Sequence, residues 1–365
     1  MKRYKRLFEQ ITAFENLFGA FRKASKGKRA KAAVATFEVN LEKELLQLEK
    51  ELRHKTYQPG PYRSFYIHDP KKRLISAAPF RDRVVHHAVC NIIEPLFERT
   101  FIYDSYANRK GKGTHKAIER YQHYARQYKY VLKCDIRKFF PSIDHAILKQ
   151  ELRWKIACPD TLWLLDLIID ASNPQEPHAP LFPGDDLFTP QQRRRGLPIG
   201  NLTSQFWANV YMNRLDHFVK EELRVPGYIR YVDDFVLFHN SANALAEYRQ
   251  EVQHYLVRLR LLAHPNKTHI HATQRGVPFL GFQVYPYYRV LQKGKTHRFR
   301  RYLHLLLGEY KSGILPALSL EQSLNSWLGH IRFGQSRRLE RHVMSKIVRH
   351  DVPFAVRVRG GWQVF

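Results

Sequence analysis

Residues 228–238 read YIRYVDDFVLF, with an aspartate pair between two short apolar arms. Short runs rich in aromatic and β-branched residues favour strands, and Asp favours turns. The stretch therefore predicts a β-hairpin with Asp233 and Asp234 at its tip. Because an Asp-Asp pair can serve turn formation alone, its function depends on what other segments bring to it.

A second apolar run, residues 130–136, reads YVLKCDI and predicts a buried strand that ends at Asp135. Adjacent strands of one sheet would bring Asp135 close to Asp233 and Asp234. Carboxylates that converge from different strands are suited to two divalent metal ions about 4 Å apart, and Mg²⁺ prefers such oxygen ligands. The three aspartates are therefore the candidate catalytic and metal-binding residues.

The chain is strongly basic, with 61 Lys and Arg against 33 Asp and Glu and a net charge of +28. A surface of this charge favours a polyanionic partner, and nucleic acid is the obvious one. Charge alone would equally fit a generic basic protein. None of the three cysteines forms a close pair, so a reducing, cytoplasmic location is expected. No apolar run approaches the roughly 20 residues needed to span a bilayer, so no membrane association is expected.

The apolar spacing predicts helices over residues 4–23, 37–54 and 201–223, and a helical, basic segment from residue 298 onward. Strand pairs are expected over 62–79, with a turn at 69–72, and near 267–285. Residues 172–198 are rich in Pro, Gly and Gln and predict a long loop. The 19 histidines offer no zinc-type spacing.

Seven segments, in order, resemble the motifs of reverse transcriptases over roughly residues 60–290. Tyr231-Val232-Asp233-Asp234 matches the Tyr-x-Asp-Asp box of that family. The other six segments are residues 72–75 (KRLI), 105–114 (SYANRKGKGT), 133–140 (KCDIRKFF), 196–205 (GLPIGNLTSQ), 266–268 (NKT) and 279–282 (FLGF).

The resemblance implies roles for individual residues. It makes Asp135, Asp233 and Asp234 metal ligands, with the Ile136 carbonyl as a further oxygen ligand. Phe140 takes the position of the gate against a ribose 2′-OH, whereas Phe139 is expected in the core. The remaining implied residues are Arg73 and Lys72 for the triphosphate, Ile199, Gly200 and Gln205 for the nucleotide pocket, Lys267 for the pyrophosphate (or simply a surface lysine), and Phe279, Leu280 and Gly281 for the primer grip.

Two departures from the common reverse transcriptase motifs indicate a particular subgroup of that family. Many reverse transcriptases have Gln-Gly in the pocket motif and end it in Ser-Pro, whereas this chain has Ile199-Gly200 and Ser204-Gln205. This pattern resembles the enzymes of diversity-generating retroelements. It implies error-prone copying opposite template adenines, an element-encoded template RNA, an RNA–cDNA duplex, dNTPs and a small basic accessory protein oligomer as partners. Ordinary packing is the other interpretation of Ile199.

The fold that the resemblance implies is α+β: a right hand with helical fingers, an antiparallel-sheet palm and an α-helical thumb. The expected domains are an N-terminal helical extension (1–60), fingers (61–128), palm with finger elements (129–290) and thumb (291–365). The thumb contains residues 325–330 (NSWLGH), which resemble a signature of small enzymes of this kind. Its arginines are expected to contact the duplex or, alternatively, to form a solvated face.

The expected reaction is RNA-templated DNA synthesis with two Mg²⁺ ions, or Mn²⁺ in their place, in a prokaryotic or phage-encoded protein. Two alternatives stay open. One is a reverse transcriptase of a retron, phage-defence or group II intron-like system. The other is an RNA-binding scaffold that has lost catalysis, although such a relative would be expected to lose at least one of the three aspartates, because crowded carboxylates are costly without metal.

Overall fold

The computed structural model describes residues 3–68, 72–172, 180–349, 355–358 and 361–364 of the chain. They form a mixed α+β fold, as predicted, with antiparallel strand pairs. Their contacts divide the chain into two compact units, each made of separate segments. The first comprises Met1–Gly113, Leu132–Leu237 and Asn243–His269, and the second comprises Thr114–Val131, Phe238–Ala242 and Ile270–Phe365.

Helices open the first unit: α1 (Phe8–Thr12), α2 (Phe14–Ser25), α3 (Ala32–Val39) and α4 (Leu41–Arg53). The apolar stripe of α2 packs on a later helix, α5 (Phe80–Glu98). The rings of Phe21, Phe37 and Phe80 meet there with centroids 5.2 to 6.1 Å apart. This aromatic cluster is the core that joins α2, α3 and α5.

In chain order, an antiparallel hairpin follows α4 and precedes α5. It consists of β1 (Arg63–Ile67) and β2 (Arg73–Ala77) and confirms the strand pair expected over 62–79. Part of its predicted turn, residues 69–71, lies outside the described residues. Every residue of β1 is exposed, including Phe65 and Tyr66. Strand β1 therefore buries little of its own surface within the chain, whereas β2 is mostly half-buried and its Ser76 is fully buried.

The sheet that carries the aspartates is built from strands distant in sequence. Strands β4 (Gly227–Tyr231), β5 (Asp234–His239), β3 (Tyr130–Asp135) and β6 (His269–Ala272) are hydrogen-bonded in that order. The helices along this part of the chain are α6 (Thr114–Gln127), α7 (Phe139–Ser142), α8 (His145–Lys155), α9 (Pro159–Asp170), α10 (Thr189–Gln192), α11 (Leu202–His217) and α12 (Ala242–Arg258).

The second unit has its own sheet and helices. Strands β7 (Val277–Phe279), β8 (Phe282–Val284) and β9 (Arg289–Leu291) form an antiparallel sheet. Helices α13 (Lys293–Lys311), α14 (Ala317–Phe333) and α15 (Arg337–Arg349) follow, and Phe299 of α13 stacks on Trp327 of α14 at 4.1 Å. A last antiparallel pair, β10 (Ala355–Val358) and β11 (Gly361–Val364), ends the chain.

Several predicted elements differ from those observed. The helix expected over 4–23 is interrupted at Ala13, whose ψ of 137° is extended, and the one over 37–54 is interrupted at Asn40. The helix over 201–223 ends as a π-helical turn, Phe218–Glu222. Three short strands, where two were expected, occupy 267–285.

The all-helical expectation for residues 291–365 is wrong at its end, where β10 and β11 form a hairpin. Its sequence, AVRV followed by GWQV, is rich in the β-branched and aromatic residues that favour strands. The loop predicted over 172–198 contains the four-residue helix α10. Residues 173–179 of that loop lie outside the described residues.

Candidate active site

The three candidate aspartates occupy the ends of two neighbouring strands. Asp135 is the last residue of β3, and Asp234 is the first residue of β5, its neighbour in the sheet. Val232 and Asp233 form the turn between β4 and β5. As expected, Asp135 and Asp234 therefore lie on neighbouring strands of one sheet, and Asp233 directly precedes Asp234.

Burial and repulsion among the three carboxylates disfavour the charged forms of Asp233 and Asp234. Burial raises the pKa of Asp234 to about 7, with Asp233 and Asp135 adding to the rise and Lys133 opposing it. The pKa of Asp233 is also raised, first by burial and then by the neighbouring Asp135 carboxylate. Crowded carboxylates of this kind need a cation to be stable in their charged form.

Two lysines supply positive charge to these carboxylates. Lys267 Nζ lies 2.8 Å from Asp135 Oδ1, and Lys133 Nζ lies 3.7 Å from Asp234 Oδ2. The Lys133–Asp234 pair is largely shielded from water, with side chains 19% and 20% exposed, whereas Lys267 is 36% exposed beside Asp135. Lys267 therefore lies at the aspartates, and its expected role with the pyrophosphate stays a prediction.

Among the described residues, no group of three or more His, Cys, Asp or Glu side chains is arranged to hold a metal ion. The donor chemistry nevertheless fits a hard divalent cation, because carboxylate oxygen is its preferred ligand. Asp234 Oδ1 is also buried without a hydrogen-bond partner in the part of the chain that is described. Such an orphaned oxygen is a ready acceptor for a cation.

Phe139 and Phe140 have different surroundings, as expected. Phe139 is 2% exposed and belongs to the core, whereas Phe140 is partly exposed. The carbonyl of Phe140 accepts a hydrogen bond of 2.9 Å from the amide of Leu197. This bond joins helix α7, which follows the strand that ends at Asp135, to the 196–205 segment.

The 196–205 segment is also tied to the β1–β2 hairpin. The Ser76 amide donates to the Ile199 carbonyl at 3.2 Å. Gly200 has a φ of +116°, and a Cβ at this position would lie 3.2 Å from Ile75 Cγ2. Any side chain at residue 200 would therefore be strained in its backbone and crowded against β2.

The other expected nucleotide-binding residues lie on the same unit. Arg73 begins β2, is exposed and lowers the pKa of Asp233 by its charge. Lys72 Nζ lies 4.4 Å from the centre of the Tyr66 ring. Ile136 is buried and forms an antiparallel bridge with Ala263, while Gln205 is exposed near the start of α11.

The expected primer-grip residues form the turn between β7 and β8 in the second unit. Leu280 and Gly281 have φ values of 47° and 88°, and Phe279 pairs with Phe282. A two-residue turn with both φ values positive is the tight connection that hairpins favour. Phe279 is fully buried against Tyr121, with ring centroids 5.1 Å apart.

Sequence reasoning missed two charged residues beside the aspartates. Lys133 is on the same strand as Asp135, and Arg230 lies in the middle of β4 with no exposed side-chain surface. The sequence does contain a signal for both residues, because each is the single cation in a mostly apolar strand. A buried charge in such a place needs a partner, which marks a structural or functional group.

The sheet and its aspartates fit one family of enzymes. The family description "Reverse transcriptase (RNA-dependent DNA polymerase)" matches residues 67–284, which is more than half of the chain. The chain belongs to the reverse transcriptase family and is an RNA-directed DNA polymerase. Membership implies a divalent metal, a template RNA and dNTPs.

The chain is similar to particular bacterial and intron-encoded proteins. It is similar to Protein YkfC of Escherichia coli, with 26% identity over 328 residues, covering 77% of this chain and 83% of that protein. It is also similar to the group II intron-encoded protein LtrA of Lactococcus lactis, with 25% identity over 211 residues, covering 57% of this chain and 33% of LtrA. In the described part of the chain, no helix is long and apolar enough to cross a membrane.

Proposed function

We propose that this chain copies a template RNA into cDNA at Asp135, Asp233 and Asp234. The observation that carries the proposal is the position of Asp135 at the end of β3, next to the strand that begins with Asp234. This is the placement that metal-assisted nucleotidyl transfer requires of its carboxylates. The basic surface, with a net charge of +28, supports a nucleic-acid substrate.

The three aspartates would hold two Mg²⁺ ions, or Mn²⁺ in their place, with the Ile136 carbonyl as a further oxygen ligand. When bound, the metals activate the primer hydroxyl and neutralise charge on the leaving pyrophosphate. Lys267 Nζ lies 2.8 Å from Asp135 Oδ1. Its ammonium would therefore lie close enough to the metal-binding carboxylates to serve the pyrophosphate.

The nucleotide pocket would combine the 196–205 segment with the β1–β2 hairpin. Arg73 and Lys72 bind the triphosphate, and the partly exposed ring of Phe140 excludes a ribose 2′-OH. Gly200 is assigned to the pocket as well, at a position where its φ of +116° and the nearby Ile75 side chain admit no side chain without strain. Gln205 is assigned to the pocket, and Phe279, Leu280 and Gly281 to the primer grip. The proposed domains are an N-terminal extension (1–60), fingers (61–128), palm (129–290) and thumb (291–365).

We further propose that the enzyme serves a diversity-generating retroelement. Support comes from Ile199-Gly200 and Ser204-Gln205, which match the pattern of that group. An apolar Ile199 in place of an amide removes a hydrogen-bonding group from the pocket, and losing such a contact costs about 1–3 kcal/mol of discrimination. Error-prone copying at template adenines and a small basic accessory protein follow from this assignment.

A second candidate is a group II intron-like reverse transcriptase, since the relatives include the group II intron-encoded protein LtrA. The two candidates differ in fidelity and in their need for a partner. Accurate copying is the prediction for a group II intron-like enzyme, and also for a retron or phage-defence enzyme. A non-catalytic scaffold would make no cDNA.

The test is primer extension on a defined RNA template with Mg²⁺ and dNTPs, with and without the small basic protein of a neighbouring gene, followed by sequencing of the cDNA. Errors concentrated opposite adenine support the diversity-generating assignment. Accurate cDNA keeps the polymerase and favours the group II-like or retron candidate. A complete absence of product under both conditions would contradict the proposed activity.

A further inference from the structure

Arg230 is a fully buried guanidinium in the strand that leads to the aspartate turn. It lies in β4, two residues before Val232, and its side chain is 0% exposed. Burying a charge is costly unless it is paired and its hydrogen-bonding groups are satisfied. The partners of Arg230 therefore show what this charge does.

One side of the guanidinium is neutralised by Asp216 of α11, which is also 0% exposed. Arg230 Nε and Nη2 each donate to one Asp216 oxygen at 2.7 Å, a bidentate pair. Tyr228 adds a hydrogen bond of 2.8 Å from its hydroxyl to the same carboxylate. This arrangement fixes the plane of the guanidinium.

The remaining nitrogen, Nη1, points at the aspartate turn. It donates to the Val232 carbonyl and to Asn209 Oδ1, both at 3.1 Å. Val232 has a φ of +58°, the left-handed conformation that β-branched residues rarely adopt. A strained residue persists only where its surroundings hold it, and its carbonyl is the group that Arg230 holds.

The same residue is tied by its backbone to the 105–114 segment. The Arg230 amide donates to the Asp104 carbonyl at 3.0 Å, and the Arg230 carbonyl accepts from Tyr106 at 2.9 Å. Asn209 also donates to the Ala107 carbonyl at 2.9 Å. Helix α11, this loop and the aspartate turn thus share one buried polar network centred on Arg230.

We propose that Arg230 is a positioning residue for the metal-binding turn: through its Nη1 contact with the Val232 carbonyl, it sets the direction of Asp233 and Asp234. This inference rests on the proposed catalytic role of those aspartates. It requires an arginine, because a lysine could pair with Asp216 but lacks the planar fork that reaches the turn at the same time.

The test compares Arg230→Lys with Arg193→Lys. Arg193 is a matched control, since its side chain is 4% exposed and pairs with Asp185 and with the buried Asp144. Each variant is measured in three ways: thermal unfolding, Mn²⁺ binding by electron paramagnetic resonance, and steady-state extension. For Arg230→Lys we expect at least fivefold weaker Mn²⁺ binding and at least tenfold lower kcat, with KM for dNTP within twofold. Arg193→Lys should lose stability without either change.

If Arg230→Lys does not fold, Asn209→Ala replaces it, because this variant keeps the Asp216 pair and the Val232 contact. It removes the second Nη1 partner together with the hydrogen bond from Asn209 to the Ala107 carbonyl. It should lower kcat and Mn²⁺ affinity about threefold or more. Variants of Arg230 or Asn209 that unfold at a lower temperature but bind Mn²⁺ as tightly as the wild type would overturn the inference. Because Mn²⁺ binding is independent of polymerisation, a wild-type chain that makes no cDNA would remove the proposed function while this comparison still decides the role of Arg230.

Discussion

Two adjacent phenylalanines separate packing from selectivity. Phe139 is 2% exposed, Phe140 is partly exposed, and their ring centroids are 5.5 Å apart. We expect Phe139→Ala to lower the free energy of unfolding by about 3–5 kcal/mol, as for other buried aromatic residues. Phe140→Ala should cost less stability but should raise ribonucleotide incorporation at least tenfold. Competition between dNTP and rNTP in primer extension, together with thermal unfolding, measures both. Equal rNTP use by the wild type and Phe140→Ala would remove the gate assignment.

Ile199 offers the residue-scale test of fidelity. Its carbonyl is already bonded to the Ser76 amide at 3.2 Å, so a change of side chain need not move the backbone. Ile199→Gln should restore a hydrogen-bonding amide and lower misincorporation opposite adenine several-fold, with other errors little changed. Ile199→Leu is the matched control, because it keeps an apolar side chain of the same size. Identical error spectra in all three proteins would show that Ile199 acts only in packing.

At the scale of single elements, helix α5 carries a pH-dependent contribution to stability. His86 on this helix is 2% exposed, and burial, followed by the charges of His87 and Arg83, lowers its pKa to about 3. The unfolded chain binds a proton at His86 below about pH 6.5, whereas the folded chain does not until about pH 3. The stability contribution of neutral His86 is therefore complete above pH 6.5 and is lost as the pH falls towards 3.

The variant His86→Gln cannot titrate, so it isolates this effect. Relative to the variant, the wild type should lose about 1.4 kcal/mol of unfolding free energy for each pH unit below about 6.5. Denaturant unfolding at several pH values between 7.5 and 5 measures the difference. His86→Asn should show the same trend. A difference between wild type and variant that stays constant over this range would contradict a neutral, buried His86.

The elements themselves show which features can be predicted from sequence. The hairpin at 228–238 and the strand ending at Asp135 were predicted, because apolar alternation and turn residues act locally. The interruptions at Ala13 and Asn40 were not, since the apolar spacing continues across both and only the backbone shows the break. Arg230 was visible as a charge in an apolar strand, but its partner Asp216 is 14 residues away on α11. Pairing across elements depends on tertiary packing, which periodicity does not report.

At the scale of the whole molecule, the proposed catalytic aspartates and the basic residues are separate groups. The net charge is +28, and exposed arginines occur on α13 and α15, including Arg300, Arg301, Arg337, Arg338 and Arg341. We expect these arginines to contact phosphates, which would make binding salt-dependent, with a slope of log K against log salt of about −0.7 to −0.9 for each phosphate neutralised. The aspartates add only negative charge to this surface.

The double variant Asp233→Ala with Asp234→Ala should therefore abolish extension and leave affinity for an RNA–DNA duplex within about twofold or slightly tighter, because a repulsive charge is removed. Arg300→Ala with Arg301→Ala should show the reverse: binding that weakens and a salt slope that falls by about one to two, since up to two phosphate contacts are lost. Fluorescence anisotropy between 50 and 300 mM salt measures both. If the aspartate variant loses duplex binding, the aspartates hold the nucleic acid or the fold itself, and their assignment as metal ligands fails. If the arginine variant keeps the full slope, α13 contributes a solvated face, and the duplex must lie against other basic residues.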